Sequence, residues 1–153
     1  MQVREVDVAI IGAGTAGMTA YRIAREHTDN LLVIESSHYG TTCARVGCMP
    51  SKLLIAAAEV NHQIGEAGKF GIDVSSSTVD GARVMARVKA ERDRFVGFVE
   101  EAVDDWPAEH KLWGKAKFVG PNELMVDGGV RVIAKRIVIA AGTRPAIPTP
   151  WYA

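Results

Sequence analysis

The glycine triplet Gly12-x-Gly14-x-x-Gly17 leaves the N-terminal part of this chain few ways to fold. Residues 6–11 (VDVAII) come before it. They are short, β-branched and almost wholly apolar, which reads as a buried strand. Residues 16–27 follow as a helix whose inner face takes Met18, Tyr21, Ile23 and Ala24. Asp29-Asn30 makes a turn, and residues 31–35 (LLVIE) read as a second strand. Together these form one βαβ unit with a right-handed crossover. The three glycines serve different ends. Gly12 permits the tight turn, Gly14 lets a pyrophosphate reach the backbone, and Gly17 lets the helix lie close on the strand. Glu35 stands 18 residues past Gly17, at the strand end, where a carboxylate accepts ribose hydroxyls and repels a 2′-phosphate. Strand, turn, helix and acid in this order point to a dinucleotide at the helix N-terminus, as opposed to a ligand-free glycine turn. The fingerprint alone does not choose between FAD and NAD.

The second informative stretch is residues 40–52, GTTCARVGCMPSK. In a regular helix, Cys43 and Cys48 would be turned apart by about 140° and separated by ~7.5 Å along the axis. That exceeds disulfide reach. A bond between them needs an irregular turn. Gly47 supplies flexibility there, and Pro50 suits the first position of a helix over residues 50–66. Closing so short a loop would stabilise the fold by only roughly 2 kcal/mol, so redox work explains the pair better than stapling. Cys48, just before the helix start, sits where partial positive charge favours thiolate. Two other readings stay open. The cysteines could be buried free thiols, or part of a metal site, for which only His38 lies nearby as a third ligand. No metal is expected.

Further along, Gly65, Gly68 and Gly71 end the helix over residues 50–66. Residues 79–103 read as a long amphipathic helix with Val84, Val88, Phe95, Val99 and Ala102 close to one face. That face packs on its own domain, or in part on a partner subunit. Residues 115–119, 123–126 and 130–133 read as a small antiparallel ribbon, turned at Asp127-Gly128-Gly129. Residues 136–141 (RIVIAA) return to the parallel sheet, and three prolines within residues 145–150 mark a linker. The expected fold class is α/β: a Rossmann-like domain over residues 1–144 with a parallel sheet and a small β-ribbon, and linker from 145 to 153.

The chain has 153 residues, enough for one core, and its 18 acidic and 18 basic side chains balance. Nothing in that charge points to nucleic acid or to an anionic membrane. No apolar run spans a bilayer, and the N-terminus lacks the apolar core of a signal peptide. The expected compartment is the cytosol, where lasting structural disulfides are uncommon.

With these residues assembled, the chain resembles the FAD-binding N-terminal part of the pyridine nucleotide–disulfide oxidoreductases, and most of all their dihydrolipoamide dehydrogenase branch. The resemblance rests on the fingerprint, on Glu35, on residues 40–52 and on residues 137–145. It implies FAD held by Gly12, Gly14, Thr15, Ala16, Gly17, Glu35, Ser36, Gly40, Thr41, Thr42, Gly47, Lys52, Ala141 and Gly142. It implies a redox disulfide in which Cys48 faces the flavin and Cys43 exchanges with a lipoamide-like dithiol or disulfide substrate. Lys52 steadies negative charge on the reduced ring. Glutathione-, coenzyme A- and mercuric-type reductases remain alternatives, as does a non-catalytic nucleotide-binding module.

The chain departs from the family pattern at Gly40-Thr41, at Ala44-Arg45 and at Ala140-Ala141-Gly142. Arg45, beside Cys43, is expected to lower that thiol's pKa or to alter substrate preference. No second fingerprint follows, and His27, His38, His62 and His110 do not match the family's His–Glu base. The expectation is an N-terminal fragment of a homodimeric enzyme. NAD(P) would bind outside the fragment, which alone would be inactive, would hold FAD weakly or not at all and would expose apolar docking surface.

Overall fold

The structure is a computed structural model that describes residues 2–143 and 146–148. Most of the expected linker (145–153) lies outside the described residues. The chain divides into two compact units. One is built from the segments up to Tyr39 and from Trp106 onward, and the other is Gly40–Asp105.

The first unit is a sheet with one long helix. Its elements are β1 (Gln2–Ile11), α1 (Thr15–Arg25), β2 (Leu31–Glu35), β3 (Lys111–Trp113), β4 (Ala116–Gly120), β5 (Glu123–Val126) and β6 (Val130–Ile139). The strand order is β3-β2-β1-β6-β5-β4. β3, β2, β1 and β6 run parallel, while β5 and β4 continue the sheet antiparallel. The fold is the expected α/β class, but its parts join differently. The ribbon is not separate from the parallel sheet. Residues 130–133 and 136–141, expected as two strands, form one strand ending at Ile139. β1 explains this, because it pairs with β6 from Gln2↔Val130 to Ile11↔Ile139. The charged step that suggested a break is accommodated at the surface, where Lys135 Nζ meets Asp7 Oδ1 at 2.6 Å. At Asp127-Gly128-Gly129 the chain turns as expected, with both glycines at positive φ.

Alternate residues of β2 divide between the two hydrophobic clusters, as the strand's period of two requires. Leu32 and Ile34 join Val6, Ala9, Leu124, Val126, Val132 and Ala134. Leu31 and Val33 join Ile10, Ala13 and Tyr21. Trp106 stacks on Tyr21 with ring centroids 3.8 Å apart. Tyr21 is buried in α1, as expected, but Ile23 is 47% exposed. It lines an open apolar groove of about 730 Å³ with Val8, Ala20, Ala24 and Val138.

The second unit is helical: α2 (Thr42–Arg45), α3 (Cys48–Glu66) and α4 (Gly81–Asp104), with a short 3₁₀ turn at Ala67–Phe70. Gly71, at φ 76°, closes that turn in the left-handed conformation. Asp80 caps α4, its Oδ1 accepting from the Arg83 N–H at 3.0 Å. The stripe that α4 buries is Val88, Val96 and Val103. Phe95 is only half-buried and Ala102 is exposed, so the expected face is rotated by one residue at its C-terminal end. No residue of α3 is buried, and Leu54, Ile55 and Val60 are exposed. These side chains leave apolar surface on α3 exposed. Among the described residues, no helix is long and apolar enough to cross a membrane.

Burial separates two truncations of similar size. Leu124→Ala removes a fully buried side chain and is expected to cost about 2–5 kcal/mol in urea unfolding. Ile23→Ala is expected to cost under about 1 kcal/mol. Equal costs would contradict the burial assignment.

Candidate functional site

The fingerprint glycines divide into two kinds. Gly12 has φ 103°, and a Cβ there would lie 2.3 Å from the Ala140 carbonyl oxygen. A Cβ on Gly17 would lie 1.8 Å from the Gly12 oxygen. Packing at the ends of β1, α1 and β6 therefore forbids side chains at both. Gly14 differs: φ is −82° and no atom lies within 4 Å of its ideal Cβ. The protein itself does not need a glycine there, and the space is open to a ligand. α1 has no side-chain cap and no acid in its first turn, so its leading N–H groups and positive dipole end suit an anion. These features fit the pyrophosphate of FAD. Thr15 and Ala16, the first residues of α1, are exposed.

Glu35 is positioned by backbone. Its Oε2 accepts the Ala13 N–H at 2.8 Å. Its Oε1 accepts the N–H groups of Ser36 and Ser37 at 2.8 and 2.9 Å, and the Ser37 hydroxyl at 3.2 Å. Burial alone would push this carboxyl up, but the hydrogen bonds from Ala13, Ser37 and Ser36 outweigh it and hold the pKa below 4.5. Oε2 takes one donor and keeps capacity for a hydroxyl, which fits a ribose. Ala141 and Gly142 follow β6, are exposed, and Gly142 has φ 73°.

In the helical unit, the cysteine segment makes the irregular turn that its spacing requires. Thr41 Oγ1 caps α2 by accepting the Ala44 N–H at 3.0 Å. The helix stops after one turn, at Val46 and Gly47, and α3 begins at Cys48. A Cβ on Gly47 would approach the Thr42 oxygen to 3.2 Å and Cys43 Cα to 3.4 Å. The chain doubles back tightly there. Pro50 is the third helical residue and not the first, still within the turn whose N–H groups lack intrahelical partners.

Cys43 and Cys48 are exposed free thiols. A hydrogen bond with Cys48 pushes the Cys43 thiol up, with burial and the charge on Cys48 adding to it. The Cys48 backbone and the Lys52 ammonium offset part of that rise. Lys52 is itself exposed on α3. The Cys43 thiol is raised, and Arg45 donates to Glu100 Oε1 on α4 at 2.7 Å. No group of three or more metal-binding side chains is found among the described residues, and His38 is exposed.

The site residues thus fall into two local groups. Gly12 to Gly17, Glu35, Ser36, Ala141 and Gly142 belong to the sheet unit. Gly40, Thr41, Thr42, Cys43, Gly47, Cys48 and Lys52 belong to the helical unit. Three participants had no sequence signal: the Ala13 N–H and Ser37, which hold Glu35, and Glu100, which lies 55 residues after Arg45.

Comparison with known proteins adds a family. Residues 6–150 match the family model described as pyridine nucleotide-disulphide oxidoreductase. The chain is 33% identical to a glutathione reductase of Burkholderia cepacia, covering 97% of this chain and 32% of that protein. It is 36% identical to a mercuric reductase of Shigella flexneri, over 92% of this chain and 26% of the relative. It is 33% identical to a dihydrolipoyl dehydrogenase of Mycoplasma pneumoniae, over 96% and 32%. The chain spans a third or less of the length of these relatives. Among solved structures, it is similar in fold to the HOCl-induced flavoprotein disulfide reductase RclA of Escherichia coli. The TM-score is 0.69 at 24% identity, covering 95% of this chain and 30% of that one.

Two titrations check this geometry. Glu35 has a folded pKa below its ordinary value of 4.5, so its stabilisation is full above that pH and is lost as pH falls through the folded value. Glu35→Gln is expected to destabilise at pH 7 by roughly 1–3 kcal/mol. The gap from wild type should narrow in the acid range, as read by unfolding at several pH values; a gap independent of pH would contradict it. For Cys43, the pH midpoint of alkylation, followed by peptide mass, is expected above 9.0 and should fall in Cys48→Ala. An unchanged midpoint would mean that Cys48 is not the cause.

Proposed function

The chain belongs to the pyridine nucleotide-disulphide oxidoreductase family, and from that premise we propose that it is the FAD-binding part of a dihydrolipoamide dehydrogenase-like enzyme. FAD is the family's cofactor, with a nicotinamide nucleotide as its second. The observation that carries the reading is the turn that ends α2 after Cys43 and restarts the helix at Cys48, which puts Cys48 near enough to raise the Cys43 thiol. Bound FAD supplies two-electron transfer between such a pair and a nicotinamide nucleotide.

The chain's own residues would do the rest. The first turn of α1 and the open space at Gly14 receive the pyrophosphate, and Glu35 takes a ribose hydroxyl. Thr15, Ala16, Ser36, Gly40, Thr41, Thr42, Gly47, Ala141 and Gly142 line the cofactor, and Lys52 steadies negative charge beside it. Cys43 is the exchange thiol and Cys48 the thiol facing the flavin. In the oxidative direction, a substrate thiolate attacks the Cys43–Cys48 disulfide at Cys43 and displaces Cys48 as thiolate. The second substrate thiolate then displaces Cys43, which leaves a substrate disulfide and two protein thiols.

The preference for dihydrolipoamide rests on the Pro50-Ser51-Lys52 ending of the cysteine segment. Glutathione- and mercuric-type relatives match the chain equally well. Nicotinamide binding and a homodimer interface are assigned to the remainder of the longer parent, with residues 1–144 as the FAD domain. The working compartment is cytoplasmic, where a reducing poise returns the pair to thiols.

The test is FAD titration of the purified chain, read by quenching of flavin fluorescence. Gly14→Ala should weaken binding at least about tenfold without lowering stability, because its side chain enters ligand space and no protein atom. Equal binding by wild type and variant would overturn the cofactor site. In the same chain, the Cys43–Cys48 disulfide should be reduced faster by dihydrolipoamide than by dithiothreitol at equal thiolate. Equal rates, with glutathione fastest, would move the reading to the glutathione-type reductases.

A further inference from the structure

We propose that α4 acts as a splint that sets the separation of the two sulfurs, and that the ion pair Arg45–Glu100 is its clamp on the Cys43 side. The inference rests on the redox-dithiol reading above. α2 is four residues long, too short to hold its own conformation, since helix nucleation costs more than one turn returns. Its position, and with it that of Cys43, must come from neighbours. Two contacts to consecutive residues of α4 supply it. At Gly40, with φ 95°, a Cβ would lie 3.0 Å from Val99 Cγ1, so the chain entering α2 presses on α4. At the other end of α2, Arg45 Nη2 lies 2.7 Å from Glu100 Oε1. Ala44, between Cys43 and Arg45, is buried.

The Cys48 side refers to the same helix. α3 starts at Cys48, and Arg87 of α4 donates to the Leu53 carbonyl of α3 at 3.3 Å. Both thiols are therefore placed from one element, although α2 and α3 are joined only by Val46 and Gly47. Arg45 and Glu100 act as positioning residues. They act through the placement of α2, and they govern how often Cys43 stands within reach of Cys48.

The pair is partly exposed, with side-chain exposures of 28% and 46%. An ion pair of this kind is worth roughly three- to fivefold in an equilibrium. The quantity to read is the equilibrium of the full chain with glutathione. One cysteine thiolate attacks glutathione disulfide and releases one glutathione; the second then attacks the mixed disulfide and releases another. The Cys43–Cys48 bond forms as one glutathione disulfide is reduced to two thiols, which take up the two cysteine protons. Acid quenching, alkylation and mass measurement count the closed form across glutathione ratios.

Arg45→Gln and Glu100→Gln should each reduce closure roughly three- to fivefold, a shift of about 14–21 mV toward easier reduction at 29.6 mV per tenfold. The double variant should lose no more than Arg45→Gln alone. The exchanged pair, Arg45→Glu with Glu100→Arg, should recover closure, and its recovery keeps the test decisive if a single variant unfolds by near-UV circular dichroism. If Arg45 acted by its charge on the thiols, Glu100→Gln would leave closure unchanged or shift it opposite to Arg45→Gln. That result, or no shift in any folded variant, overturns the clamp while leaving the redox reading intact. A wild-type chain that never closes the disulfide at any ratio overturns both.

Discussion

Three backbone segments meet where a side chain has no room, and the end of the sheet that carries the glycine fingerprint depends on that contact. The turn at Gly12 lies against the Ala140 carbonyl at the end of β6, and α1 lies against the Gly12 carbonyl at Gly17. Both contacts are backbone against backbone, so no rotamer change relieves a larger residue. The result aims the start of α1 into open space beside Gly14. It also brings the Ala13 N–H to Glu35, tying the turn after β1 to the end of β2. An uncapped helix start and a fixed carboxylate are thus products of one packing constraint. This is a local arrangement that a dinucleotide can use without rearranging the protein.

The cysteine segment solves a different problem with similar means. Regular helix would carry the two sulfurs apart, so the chain interrupts the helix at Val46-Gly47 and restarts it at Cys48. At Gly47 the returning backbone passes close to Thr42 and Cys43, so a larger residue there would make those neighbours shift slightly. Cys48 raises the Cys43 thiol, so the two groups act on each other across the turn.

Much of this was legible in the sequence because it depends on local chemistry. The fingerprint, the β2 boundary at Glu35, the irregular turn at Gly47 and the hairpin glycines each follow from what neighbouring residues permit. The errors came from long-range pairing. β6 reads as two strands because Lys135 and Arg136 interrupt its apolar run, and only the full-length partner β1 joins them. β3 is three residues long and forms beside β2 by tertiary pairing, with no periodic signal of its own. Ile23 reads as core because its helix face is apolar, yet that face lines an open groove. Glu100 of α4, which accepts from Arg45, gave no sign of that pairing in the sequence. Charge alone does not reveal which distant carboxylate an arginine finds.

A crystal structure of the chain with FAD tests the central claim most directly. The account predicts pyrophosphate oxygens within hydrogen-bonding distance of the first N–H groups of α1, in the space beside Gly14 Cα, with a ribose hydroxyl on Glu35 Oε2. Nucleotide density elsewhere on the chain, with that space still open, would contradict it.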